Sequence, residues 1–145
     1  MATQIIPNLW LGNILDSRNN EFLKNIDVII NCSTNIPFYS KETINLRIKV
    51  EDDLEKESII TMYKFLKNAI EFIHKHLLDN KAIFVHCYAG KQRSATIICA
   101  YIMFYFKLSY QESTELLKSK RLIVFTPLPN FDSALKLFEK NMIPK

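Results

Sequence analysis

The sequence predicts one α/β domain over residues 1–145, with a mostly parallel or mixed sheet of about five strands flanked by helices. Three observations carry that expectation. Short β-branched or alternating runs are interleaved with amphipathic stretches at helical spacing. No internal repeat, low-complexity tract or linker divides the chain. A length of 145 residues suits a single domain with a sizeable core.

The elements follow in order. "IIPNLWLG", residues 5–12, reads as a short strand pair turning at a Pro-Asn corner. "SRNNEFLKNI" offers polar caps ahead of a short helix. "DVIINCS" is a compact β-branched run of the kind found in a covered central strand. "NIPFYSKE" is loop, and "INLRIKV" alternates apolar and polar residues like a strand with one covered face. After the acidic "EDDLEKES", the residues Ile59, Met62, Leu66, Ala69, Ile70, Ile73 and Leu77 recur at helical spacing. "AIFV" is a short buried strand running into His86, and "SATIICAYIMFYF" is a helix apolar nearly all round, hence deep in the fold. "SYQESTELLKSK" and "NFDSALKLFEKNM" complete the chain as amphipathic helices.

A formal charge of +4 suits anionic partners such as phosphate. It is too small to argue for nucleic acid, which is not expected as a partner. The longest apolar run, "ATIICAYIMFYF", is shorter than the ~20 residues a membrane-spanning helix needs. Three cysteines, Cys32, Cys87 and Cys99, form no disulfide framework, and "MATQIIPNLW" is no signal peptide. A reducing interior, cytoplasmic or also nuclear, is the expected location.

The stretch "HCYAGKQRS", residues 86–94, holds one of only two glycines in the chain. It lies between a buried strand and a buried helix. A loop entering a helix N-terminus aims backbone N–H groups at one spot, under the positive end of the helix dipole. Gly90 permits the curl, and the product is a nest for a tetrahedral anion. A thiol in such a field falls to about 3.5–7.5, which makes Cys87 a nucleophile. Arg93 supplies a planar fork that grips two phosphate oxygens. Tyr88, Ala89, Gly90, Lys91, Gln92 and Arg93 are the expected phosphate-binding residues, with Tyr88 and Lys91 facing substrate.

"VHCYAGKQRS" resembles the signature of cysteine-dependent phosphatases: His-Cys, five residues, Arg, then Ser or Thr. The Ala-Gly pair and the following "AYIM" are most similar to the dual-specificity protein phosphatases, and the resemblance runs over nearly the whole chain, with "IIPNLWLG" and "VIINCS" matching early strands. It implies a phosphatase-like fold and one catalytic domain over residues 1–145 without an appended targeting or docking module. It also implies no cofactor and no metal. His74 and His76 lie two apart, unsuited to one helical face, which likewise argues against a metal site.

The leaving oxygen of a phosphate ester needs a proton, so an acid is wanted near the loop. The family places it after a strand in the pattern apolar, any, apolar, any, Asp. "IKVED" fits with Ile48 and Val50, giving Asp52 as general acid and base; Asp53 is the second candidate, and a solvated helix-capping loop the alternative. The resemblance gives His86 a role in holding the loop and tuning the thiolate. Strand alternation turns its ring away from the Cys87 sulfur. Ser94 is expected to steady the Cys87 thiolate as a leaving group or to cap the helix. Asn31, at a strand end, is expected to brace the phosphate loop, and Asn130 in "TPLPNF" resembles a second bracing Asn. The family's usual Arg-Pro pair is here Arg121-Leu122. Cys32 and Cys99 read as core, with a Cys87 disulfide the redox alternative.

The implied substrates are phosphorylated proteins, with phosphotyrosine and phosphoserine or phosphothreonine admitted by a shallow pocket. Lys91 keeps open a phosphoinositide or RNA 5′-phosphatase. A non-catalytic phosphoprotein binder is the rival from another class.

Overall fold

The computed structural model describes residues 1–143. Its five strands are β1 (Thr3–Ile6), β2 (Leu9–Gly12), β3 (Val28–Asn31), β4 (Ile44–Arg47) and β5 (Ile83–His86). The helices are α1 (Asn20–Leu23), α2 (Lys56–Leu78), α3 (Arg93–Phe106), α4 (Tyr110–Lys120) and α5 (Asp132–Met142). The strands form one mixed sheet in the order β1-β2-β5-β3-β4, parallel throughout except for the β1–β2 hairpin. The Pro-Asn corner makes that hairpin, with Asn8 in the left-handed region at φ 68°.

Alternation along the strands sorts the core into two sides. Leu9, Leu11, Val28, Ile30, Ile83 and Val85 pack with the apolar faces of α2 to α5. Ile29 and Phe84 turn the other way, against Leu23 and Ile26 of the α1 region. Phe22 stands edge-on to Phe84 at 4.9 Å between ring centroids. As its composition predicts, α3 is buried without a break from Ser94 to Met103. A capping box of Ser109 and Glu112 opens α4. No helix among the described residues is long and apolar enough to cross a membrane.

The register matters most for function. Gly12, His86, Asn31 and Arg47 lie in one row across β2, β5, β3 and β4. These are the carboxyl ends of four parallel strands, where the following loops gather and where open α/β sheets place their sites.

The strand expected over residues 44–50 is shorter, since regular pairing stops at Arg47. Its alternation continues regardless: Ile48 and Val50 are buried and Lys49 is exposed. One hydrogen bond, from Ile48 N–H to the Asn31 carbonyl at 2.9 Å, carries the chain off the sheet edge.

Candidate active site

Residues 87–92 curl from the end of β5 into the N-terminus of α3. Four of the loop's carbonyls are held by hydrogen bonds. Tyr88 O accepts from Ile14 N–H at 3.0 Å, and Gly90 O from Arg121 Nε at 2.8 Å. Lys91 O accepts from Phe125 N–H at 2.8 Å, and Gln92 O from Thr96 N–H at 2.9 Å. By contrast, the N–H groups of residues 88–92 donate to no other group among the described residues. Fixing the carbonyls to the scaffold leaves those amides free for an anion.

Gly90 has φ 68°, which glycine adopts without strain. A Cβ there would stand 2.6 Å from the Gly12 carbonyl oxygen and 2.7 Å from Arg121 Nη2. A Cβ on Gly12 would meet Asp16 Oδ2 at 2.5 Å and the Phe84 ring at 2.7 Å. Gly90 thus lets the loop's back lie against the end of β2, whereas Gly12 leaves room for Asp16 and the Phe84 ring.

Cys87 sits at the base of the nest, 2% exposed, with its Sγ 3.1 Å from Ser94 Oγ. Arg93 is the first residue of α3. Its Nη1 donates to Val50 O at 3.2 Å, and its buried Nε has no partner. A buried guanidinium N–H left open beside unbonded loop amides fits a further acceptor, such as a phosphate oxygen. Tyr88 is 63% exposed at the rim, and Ala89 and Lys91 are half-buried.

Replacing Arg93 by lysine is expected to lower kcat/KM for an aryl phosphate by on the order of 10²–10³-fold. An ammonium cannot hold the Val50 carbonyl and still present a planar pair of donors. Steady-state kinetics on the folded variant checks this, and near-normal turnover contradicts the cradle.

One expectation for the loop's surroundings, that for Asn31, needs correction. The side chain of Gln92 is turned into the scaffold. It is 3% exposed, donates through Nε2 to Leu128 O at 2.9 Å and Thr126 O at 3.2 Å, and accepts from Asn130 N–H at 2.9 Å. Only its backbone amide is left for an anion. Asn31 does not brace the phosphate loop through its side chain. Its Nδ2 donates to Ile36 O at 2.7 Å, and its Oδ1 accepts from Ser33 Oγ at 2.6 Å. The nearer carbonyl, five residues along the chain, captures the amide, and Arg47 holds the same 33–36 turn from the other side.

Asn130 grips the loop that follows β4. Its Nδ2 donates to Asp52 Oδ1 at 2.8 Å. Asp52 is half-buried between exposed Glu51 and Asp53. Asp53 is engaged elsewhere: its Oδ1 accepts from Glu55 N–H at 3.0 Å ahead of α2. A hydrogen bond with Ser58, then that backbone bond, holds its carboxyl below the usual range.

His86 faces away from Cys87, stacked on Phe84 with centroids 5.2 Å apart. Burial, with smaller help from Arg47 and Arg93, pulls its pKa from 6.5 to about 4, against the opposing pull of the Cys87 backbone and Asp16. Between about 6.5 and 4 the unfolded chain takes up a proton that the folded His86 refuses. Stability is full above pH 6.5 and declines as pH falls towards 4, by at most roughly 3 kcal/mol from this group. Urea melts from pH 7 to 4.5 should show the decline, and His86→Phe should flatten it. An unchanged slope in that variant refutes the assignment.

Cys32 continues β3 beside Cys87, with its N–H on the His86 carbonyl at 2.8 Å. Burial, then the neighbouring Cys87, push its thiol well above the usual range. Burial lifts Cys99 to about 12 within α3. Among the described residues no group of three or more His, Cys, Asp or Glu side chains is arranged to hold a metal ion.

Arg121 was named in the sequence but given no role there. Arg121 is buried, and besides Gly90 O it donates to Met1 O at 2.6 Å and Thr3 Oγ1 at 2.9 Å. It joins the first strand to the phosphate loop. The available signal was a lone arginine ahead of the apolar run "LIVF".

The end of a buried strand, a loop with free amides after Cys87, and an arginine opening a buried helix thus meet in one place. The dual specificity phosphatase catalytic domain family matches residues 9–141, and the chain belongs to that family. It is 33% identical over 141 residues to human dual specificity protein phosphatase 9, covering 96% of this chain and 36% of that protein. To mouse dual specificity protein phosphatase 15 it is 34% identical over 138 residues, covering 94% and 57%. The chain thus spans between a third and somewhat over half of the length of these relatives. The crystal structure of DUSP15 superposes with a TM-score of 0.85 at 32% identity, covering 94% of this chain and 86% of that one.

Proposed function

We propose that this domain is a cysteine-dependent phosphatase that hydrolyses phosphotyrosine and phosphoserine or phosphothreonine in proteins through a cysteinyl-phosphate. One observation carries the reading: four of the loop's carbonyls are hydrogen-bonded while the amides of residues 88–92, directly after Cys87, stay unbonded. The amides and Arg93 hold three phosphate oxygens. The Cys87 thiolate attacks phosphorus in line with the ester oxygen; the S–P bond forms as the P–O bond breaks. Asp52 gives its proton to the departing oxygen. It then takes a proton from water, which attacks phosphorus and releases the sulfur. Ser94, 3.1 Å from that sulfur, donates to it as it leaves.

The test is pre-steady-state mixing with 4-nitrophenyl phosphate. A burst of phenolate near one equivalent supports the covalent intermediate, and its absence with no turnover leaves the non-catalytic binder. Turnover of phosphotyrosine and phosphothreonine peptides, against a phosphoinositide and an RNA 5′-triphosphate, then fixes the substrate class. A preference for either of the last two overturns the protein reading.

A further inference from the structure

The acid loop, residues 48–55, has no regular structure of its own, yet a general acid must be held to within a fraction of an ångström. Asp52 makes one side-chain hydrogen bond among the described residues, from Asn130, 78 positions away. Asn130 in turn is fixed through its own N–H by Gln92 Oε1 at 2.9 Å. Gln92 is the last residue of the phosphate loop, and its Nε2 also holds the carbonyls of Thr126 and Leu128. The amide of one side chain therefore spans from the cradle to the segment that carries Asn130.

We propose that Asn130 is the positioning residue for the general acid, anchored by Gln92, so that the phosphate loop itself sets the place and the proton-bearing oxygen of Asp52. This rests on the reading of Asp52 as the acid. An amide N–H can bond only to a lone pair, so Nδ2 keeps Oδ1 as an acceptor. Because a carbonyl oxygen accepts better than a hydroxyl oxygen, the transferable proton is thereby favoured on Oδ2. The link also explains a glutamine at position 92: both its donor and its acceptor are used at once, which neither Glu nor Lys reproduces.

The test combines Asn130→Ala, Asp52→Asn and the double variant, each assayed with a phosphoserine peptide and with 4-nitrophenyl phosphate. Asn130→Ala is expected to lower kcat for the alkyl ester by about 10–100-fold with KM little changed. The aryl ester, whose oxygen leaves without much help, should lose several-fold less. In the Asp52→Asn background the further loss should be under about twofold, because the function served is already gone. Vanadate inhibition retained at the wild-type level shows that the cradle is folded in each variant. Equal losses for both esters, or a loss that persists in full on top of Asp52→Asn, overturn the proposal while leaving Asp52 as the acid. If Asp52→Asn itself shows no leaving-group dependence, the acid assignment fails, and the role of Asn130 fails with it.

Discussion

Replacing Cys87 by serine should bring turnover of every phosphate ester down to background, a loss on the order of 10⁴-fold or more. A hydroxyl is far less ionised than a thiol, and nothing beside residue 87 is placed to act as its base. The nearest imidazole, His86, lies on the other face of the sheet, neutral and stacked on Phe84. Ser94 Oγ, at 3.1 Å, is itself a hydroxyl. Binding should survive where chemistry does not. The free amides belong to the backbone and the guanidinium to Arg93, so the variant should hold a phosphotyrosine peptide within a few-fold of the wild-type affinity. Calorimetry on the peptide and burst kinetics on the aryl ester measure the two halves separately. Residual turnover within tenfold of wild type would place the nucleophile elsewhere.

The strands and long helices were legible because periodicity reports which face is buried, and it is read from the hydrophobicity each residue carries by itself. "DVIINCS" and "AIFV" became β3 and β5, and the all-apolar "SATIICAYIMFYF" became the buried α3. The same alternation reached past the end of β4. Ile48 and Val50 point inward, and Asp52 follows them as the half-buried carboxylate between two exposed ones. Asn130 and Arg121 could be singled out around the phosphate loop, but their partners were not legible, because the clasp consists of pairings between distant residues. Arg121 meets Gly90 across 31 positions and Asn130 meets Asp52 across 78. Nothing in the composition of "RLIVFTPLPN" says which carbonyl or carboxylate its polar groups will find. Asn31 shows the same limit at short range. Its place at a strand end was readable, but the partner of its amide, Ile36 O, depends on how the next turn folds back.

Exchanging Asp52 for asparagine should slow a phosphoserine peptide by about 10²–10⁴-fold, and 4-nitrophenyl phosphate by distinctly less. The difference follows from the leaving oxygen. A nitrophenolate carries its own charge away, whereas an alkoxide is released at neutral pH only if a proton arrives as the P–O bond breaks. Asp52 can deliver it because Oδ1 is held by Asn130 and Oδ2 is free of that bond. Asp53 cannot take over by a small shift of the loop. Its carboxyl is exposed and bonded to the backbone ahead of α2, where an anion is favoured and a proton is readily lost. The asparagine variant keeps the size of the side chain, so its loss measures the proton rather than the packing. Burst kinetics add a second reading. With the aryl ester the first step should stay fast while breakdown of the cysteinyl-phosphate slows, because water then lacks its base, and the intermediate should accumulate. Equal slowing of alkyl and aryl esters, with no accumulation, would assign Asp52 a structural role and leave the proton donor to be found elsewhere on the rim.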